Sequence, residues 1–269
     1  MRPPDGRRDN RRKRRRDKHC LAAVMVIAAL SGACGGGESG GSGAPAAPAA
    51  PVVNPVDPAT AGNVTGKITF AGTAPTPEPV RVNSDPNCVP EGAATTETVV
   101  VGDGGSLQNV FVYVKDGLGG RAFPVPSTPV LLDQRGCRYL PHVIGVQVGQ
   151  PLEIRNDDPT LHNVHAVPKQ NGEFNTGQPL KGMKHTHTFS TREVMVPFKC
   201  DVHGWMNAFV GVMDHPYFAV TGGDGSFSLK GLPPGTYTIE AWHEKLGTQT
   251  QTVTIGEKET KDVAMTFKI

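Results

Sequence analysis

Residues 199–206 read KCDVHGWM. Cys200, His203 and Met206 fall three apart, and each side chain ends in a soft or borderline metal donor: thiolate, imidazole, thioether. The same Cys and His could instead serve as nucleophile and base. That chemistry is disfavoured, because no oxyanion-forming loop is evident and both residues lie on one turn. Some forty residues upstream, DDPTLHNVHAVP supplies His162 and His165. Cys200, His203, His162 and His165 together would make an acceptable zinc tetrahedron, although one that leaves Met206 without a role.

These residues need a rigid frame. The chain has many short β-branched runs, among them GNVTGKITFAG, QNVFVYV, GVQVGQPLEIRN, EVMVPFKC, GSFSL, GTYTIEAW and QTVTI, separated by Gly, Pro, Asp and Asn. Turn pairs such as Asp103-Gly104 and Asp224-Gly225 punctuate them, and no window sustains a long helical period. The expectation is an all-β protein of two sandwiches. In VMVPFKC, period-two alternation puts Val194, Val196, Phe198 and Cys200 on one face, with Met195, Pro197 and Lys199 on the other. Cys200 is therefore expected to point inward among apolar partners. A buried structural cysteine would satisfy the same pattern.

The first nineteen residues carry ten Arg or Lys against three Asp, and an apolar run follows from Cys20 to Ala33. This is the pattern of a secretory signal over 1–33, and the run is short for a membrane-spanning helix. LSGACGGG resembles a bacterial lipobox, with Cys34 as the residue to be lipidated, although Leu30 stands four residues before it. The 27 basic and 25 acidic residues of the chain become 17 and 22 once the leader is set aside. The arginine run is thus read as targeting, and no nucleic-acid partner is expected. Residues 34–61, rich in Gly and Ser and then in Ala and Pro, read as a disordered tether.

Of five cysteines, Cys20 and Cys34 belong to the leader and lipid site. Cys88 in SDPNCVP and Cys137 in QRGCRYL sit in loop-like surroundings. In an oxidising compartment they are expected to pair as a disulfide, with two free thiols as the alternative. Cys200 is then left single, which is unusual outside the cell unless a metal holds it. His142, His185, His187, His215 and His243 are taken as solvated surface residues.

A strand, then HNVH, then some forty residues, then an aromatic strand ending in Cys-x-x-His-x-x-Met resembles the type 1 copper cupredoxins. The likeness is to the plastocyanin and amicyanin group and covers about 130–215. It implies a Greek-key sandwich holding one type 1 copper through His162, Cys200, His203 and Met206. Asn163 would brace the loop beside the first ligand, and Trp205, Phe209 and Phe198 would keep water away. Asp201 departs from the Thr or Ser that many relatives carry beside the cysteine. The segment DGSFSLKGLPPGTYTIEAW is similar to the carboxypeptidase regulatory-like, transthyretin-like (Ig-like) sandwich. That family opens with strands like GKITFAG and NVFVYVKDG, which here precede the copper segment. We therefore expect one sandwich from 62–120 and 216–269, interrupted by the copper domain at 130–215. A linear chain of domains is the competing layout. His215 and His243 flank the junction, as candidates for an interface or a second metal site.

The resemblances imply a non-enzymatic electron carrier in the periplasm or cell envelope, held to a membrane by a lipid anchor. It would pass single electrons between redox partner proteins, docking through the loop His203–Phe209. The alternatives are copper binding or delivery, or an extracytoplasmic surface- or carbohydrate-binding module.

Overall fold

The computed structural model describes residues 53–80, 82, 85–88 and 95–269. The expected signal segment, the lipid site Cys34 and the tether as far as residue 52 lie outside the described residues. All regular structure among the described residues is strand, apart from one 3-10 turn at Asp103–Gly105. The sixteen strands are β1 (Gly62–Phe70), β2 (Phe111–Asp116), β3 (Val130–Gln134), β4 (Tyr139–Leu140), β5 (Val143–Gln147), β6 (Pro151–Asn156), β7 (His162–Ala166) and β8 (Phe174–Gln178). Then come β9 (Lys184–Thr188), β10 (Glu193–Lys199), β11 (Asn207–Met213), β12 (Phe218–Val220), β13 (Ser226–Leu232), β14 (Gly235–His243), β15 (Gly247–Ile255) and β16 (Thr260–Phe267).

They form four sheets in two sandwiches. One joins β13-β1-β16 to β12-β2-β14-β15; the other joins β4-β3-β6-β9 to β5-β11-β10-β7-β8. β1 lies antiparallel to β13 and parallel to β16, while β2 lies between β12 and β14. The early strands therefore pair with partners from 218–267, and the chain between β2 and β12 builds the other sandwich. Each sandwich has its own core because alternate residues of facing sheets meet. Val64, Ile68, Val112, Ile239, Leu229 and Phe267 are buried in the first, and Leu132, Ile154, Val164, Val210, Phe198 and Tyr139 in the second.

β2 is buried on both faces. Val112 and Val114 enter the first core, whereas Phe111 and Tyr113 form a third apolar cluster with Val143, Met195 and Met213 of the other sandwich. Glycines make room for this contact. Gly145 of β5 and Gly211 of β11 stand opposite each other in register. A Cβ on Gly211 would come within 2.4 Å of the Phe111 ring, and one on Gly145 within 2.4 Å of the Phe218 ring. The two phenylalanines stack across this gap with centroids 5.7 Å apart.

Two expectations need correction. The end of the expected tether is not spacer: Val56 is buried in the first core, and Asp57 accepts backbone hydrogen bonds from Thr60 and Ala61. In β10 the alternation holds for Val196, Phe198 and Cys200 but fails upstream. The register with β11 slips by one residue between Glu193 and Val196, and Met195 has φ +64°. This bulge takes Val194 off the face of Val196, Phe198 and Cys200: it packs beside Met195 on the contact between the sandwiches, while Met195 keeps the outer face expected of it.

Candidate metal centre

β7 and β10 are antiparallel neighbours, with Ala166 opposite Phe198 and His165 opposite Lys199. His162 opens β7, and Cys200 immediately follows β10. Beyond Cys200 the chain makes a tight turn, closed by Met206 N–H donating to His203 C=O (2.8 Å) and Cys200 N–H donating to Met206 C=O (3.1 Å). The turn returns His203 and Met206 to the end of the strand. His162, Cys200, His203 and Met206 are all buried, none more than 2 % exposed.

The donor atoms of His162, Cys200 and His203 all lie within 4.8 Å of one another. His162 Nδ1 and His203 Nδ1 are 3.0 Å apart, and Cys200 Sγ is 3.8 Å from His203 Nδ1. The far nitrogen of each ring is already engaged: His162 Nε2 with Asp158 Oδ2 at 2.9 Å, and His203 Nε2 with Asp85 Oδ2 at 3.3 Å. If each Nε2 carries the proton shared with its carboxylate, both Nδ1 atoms present lone pairs to each other. Two such lone pairs at hydrogen-bond distance repel unless a cation or a proton sits between them. A buried thiol and two facing imidazole nitrogens form a donor set that fits a soft, nitrogen- and sulfur-seeking metal, and Met206 is buried in the same core.

In the metal-free centre the electrostatics favour a proton between the two Nδ1 atoms, on His162, which a bound metal would displace. Burial opposes charge on Cys200, but hydrogen bonds from His162 and around Asn163 outweigh it and hold the thiol below its usual range. For His162, burial also opposes charge, while Asp158 and Cys200 raise its pKa. His203 is lowered, first by burial and then by the charge of His162.

Asn163 does brace the turn. Its Oδ1 accepts from Asp201 N–H (2.6 Å), Val202 N–H (3.3 Å) and the Cys200 thiol (3.3 Å). Asp201 has its place as well: Oδ2 accepts from Asn163 Nδ2, His165 Nδ1 and Asn175 Nδ2 at 2.8–3.0 Å, while Lys199 Nζ approaches Oδ1 at 3.2 Å. Trp205 stands beside His203 with ring centroids 5.2 Å apart and donates to Cys137 C=O at 3.0 Å. Cys88 and Cys137 form a disulfide whose sulfurs lie within 4.8 Å of a His203 ring nitrogen.

His165 does not join the donors. Three residues along a strand from His162, it faces the other way and bonds Asp201 and Glu173, both at 2.8 Å. The tetrahedron that would have used it is not assembled. Nor is the His203 edge open: Asp85, held by the Thr160 hydroxyl on a turn ending at the disulfide, leaves His203 only 2 % exposed. The assignment of surface histidines also fails for His142, His215 and His243, which are 1–4 % exposed. His215 donates through Nε2 to Val114 C=O and accepts from Tyr217 N–H, and His243 Nδ1 accepts from the Lys245 and Leu246 amides. His185 and His187 are half-buried against Phe174.

Sequence reasoning missed Asp85, Asp158 and Tyr139. Asp158, four residues before His162 within DDPTLH, was readable as its partner. Tyr139, whose hydroxyl donates to Asn163 C=O (2.8 Å) and Lys199 C=O (3.2 Å), ties the two ligand-bearing strands together and carries no sequence signal.

Residues 207–268 match the family model of the carboxypeptidase regulatory-like domain. The match starts inside β11, which pairs in the other sandwich. No curated protein matches the chain. Similar solved structures include a copper-containing nitrite reductase, amicyanin variants and a purple cupredoxin. A copper-containing nitrite reductase from Thermus scotoductus SA-01 is 21% identical over 37% of this chain and 25% of its own, with TM-score 0.31. The chain thus spans a quarter of that protein's length. The reduced form of an amicyanin variant is 26% identical over 33% of this chain and 85% of its own, with TM-score 0.29. A purple cupredoxin from Nitrosopumilus maritimus is 22% identical over 32% and 98%, with TM-score 0.27.

Proposed function

We propose that this chain binds a single copper ion through His162, Cys200, His203 and Met206 and carries single electrons. The observation that carries the reading is the pair of Nδ1 atoms 3.0 Å apart beside a buried, thiolate-favouring Cys200, each imidazole tied outward to a carboxylate. Bound there, copper supplies a one-electron couple. The protein's part is to fix the donors: β7 and β10 set the His162–Cys200 spacing, Asn163 holds the turn, and the carboxylates orient both rings. A site already braced in this way needs little rearrangement when the metal's charge changes. With four protein donors no position is kept for a substrate, so we read the chain as a carrier and not an enzyme.

We place this copper module at 130–215, inserted between β2 and β12 of a sandwich built from 62–120 and 216–269. We further propose that the leader exports the chain to the periplasm or cell envelope, that Cys34 anchors it to the membrane by lipid, and that its partners are redox proteins. Because His203 is covered by Asp85, the reading favours retention of copper over ready delivery.

Adding Cu(II) to the purified full chain tests the reading. An intense visible thiolate-to-copper absorption at one copper per chain, lost in Cys200→Ser, is the expected result. A colourless protein that takes up stoichiometric zinc in preference would overturn it.

A further inference from the structure

The outer nitrogens of the two rings are held by two aspartates from different parts of the chain. Asp158 reaches His162 at 2.9 Å, and its own carboxylate is pinned by Gly136 N–H on Oδ1 and Cys137 N–H on Oδ2, both at 2.8 Å. Asp158 is 5 % exposed and His162 fully buried, so little water screens the charge. Asp85 reaches His203 at 3.3 Å from the turn Asp85–Cys88, which is anchored by the disulfide to Cys137. One disulfide thus fixes both arrangements: Cys137 supplies an amide to the first carboxylate, and Cys88 ends the turn that carries the second.

We propose that Asp158 and Asp85 are positioning residues that bias the centre toward the oxidised, more highly charged form of copper; this rests on the copper reading above. Each carboxylate does two things. It fixes the imidazole with its proton on Nε2 and its lone pair on Nδ1, and it places a fixed negative charge behind the ligand. Negative charge beside the site stabilises the doubly charged ion more than the singly charged one. Removing it therefore favours reduction. Asp158, shorter in its hydrogen bond and more deeply buried, acts more strongly than Asp85.

The test compares reduction potentials of the copper-loaded full chain with those of Asp158→Asn and Asp85→Asn, read by following the visible absorption during electrochemical titration. Asparagine preserves shape and carries no charge, and its single amide oxygen can accept from one of Gly136 and Cys137. Loss of Asp158 is expected to reduce the preference for Cu(II) over Cu(I) about tenfold, the lower end for an outer partner of a metal ligand; for a one-electron couple this is a rise of about 59 mV. Asp85→Asn should raise the potential by less, and Asp158→Glu should return it toward wild type. Should Asp158→Asn not fold, Asp85→Asn carries the comparison. Variants that bind copper with the wild-type absorption and an unchanged potential would overturn the inference alone. A wild-type chain that takes up no copper would overturn the copper reading and this inference with it.

Discussion

The molecule uses buried histidine in two opposite ways. In the sandwich that contains β7 and β10, His162 and His203 bind outward to carboxylates and leave their inner nitrogens facing each other 3.0 Å apart. In the other sandwich, His215 and His243 are as deeply buried, but the inner nitrogen of each accepts nearby backbone amides. Burial pushes both of these down to about 4, so they are neutral packing residues. A histidine is a ligand candidate when the protein leaves one of its nitrogens without a protein donor, and burial alone does not separate the two classes. A carboxylate at the outer nitrogen marks the first class only where the inner nitrogen faces other donors: buried His142 also bonds a carboxylate, Glu244, but its Nδ1 meets Asn207 C=O, and backbone amides at Nδ1 mark the second class.

Breaking the contrast at its strongest point should give the largest effect. His162→Ala is expected to weaken copper binding by more than about 100-fold, since losing only an outer partner costs 10–100-fold. Copper titration monitored by absorption measures this. His215→Ala should leave copper binding and colour unchanged. It should cost about 2 kcal/mol or more of stability, because Val114 C=O and Tyr217 N–H both lose a buried partner. A copper-binding loss in His215→Ala would end the distinction.

The contact between the sandwiches offers a second comparison, between a site built by donors and one built by absence. Gly145 and Gly211 matter because they lack side chains. Gly211→Val would drive a branched side chain into the Phe111 ring, where even a Cβ comes within 2.4 Å. The expected cost is about 1–3 kcal/mol, typical of overpacking, seen as a lower unfolding midpoint in denaturant. The metal-binding turn, packed in a separate core, should keep its copper absorption at temperatures below unfolding.

Much of the site was legible in the sequence because its residues are close in the chain or carry a period. Cys200, His203 and Met206 share one turn, and the alternation of Val196 and Phe198 correctly aims Cys200 inward. The match at 207–268 likewise rests on local turn and strand pattern. What the sequence did not yield depends on distant contacts. Asp85 meets His203 across 118 residues, and Tyr139 reaches Lys199 across 60. The bulge at Met195 reverses the parity of Val194, which packs with Met195 toward Phe111 and Tyr113 and not in the core that holds Val196 and Phe198. The buried histidines were misjudged for the same reason: their partners are backbone groups, which no residue type announces.

Acid should expose the neutral histidines next. For a His with a folded pKa below its unfolded value of about 6.5, the unfolded chain binds more protons between the two values, so stability falls as pH falls. His215 and His243, both near 4, should each withdraw up to about 3 kcal/mol between pH 6.5 and 4. Protonation would also cost each Nδ1 its role as acceptor. His142 behaves differently. Burial opposes its charge, yet Glu244 at 2.6 Å raises its pKa, so its contribution is fully present below pH 6.5 and adds no slope in this window. Denaturant midpoints of metal-free protein from pH 7 to 4 should therefore decline steadily. In His215→Gln the decline should be shallower, and an unchanged slope would show that another group carries it.

The smallest effect should come from Asp201, which sharpens the contrast between a buried and an exposed carboxylate near the same ligands. Asp201 gathers Asn163, His165, Asn175 and Lys199, but its side chain is 42% exposed, against 7% for Asp158. Water and salt screen an exposed charge, and Asn163 keeps its backbone donors from Asp201 and Val202 whatever the side chain at 201. Asp201→Asn should therefore raise the reduction potential by less than Asp158→Asn does. Its effect should also shrink as salt is added, while that of Asp158→Asn persists. Equal shifts from the two variants would mean that distance to the sulfur, and not burial, decides how a carboxylate acts on this site.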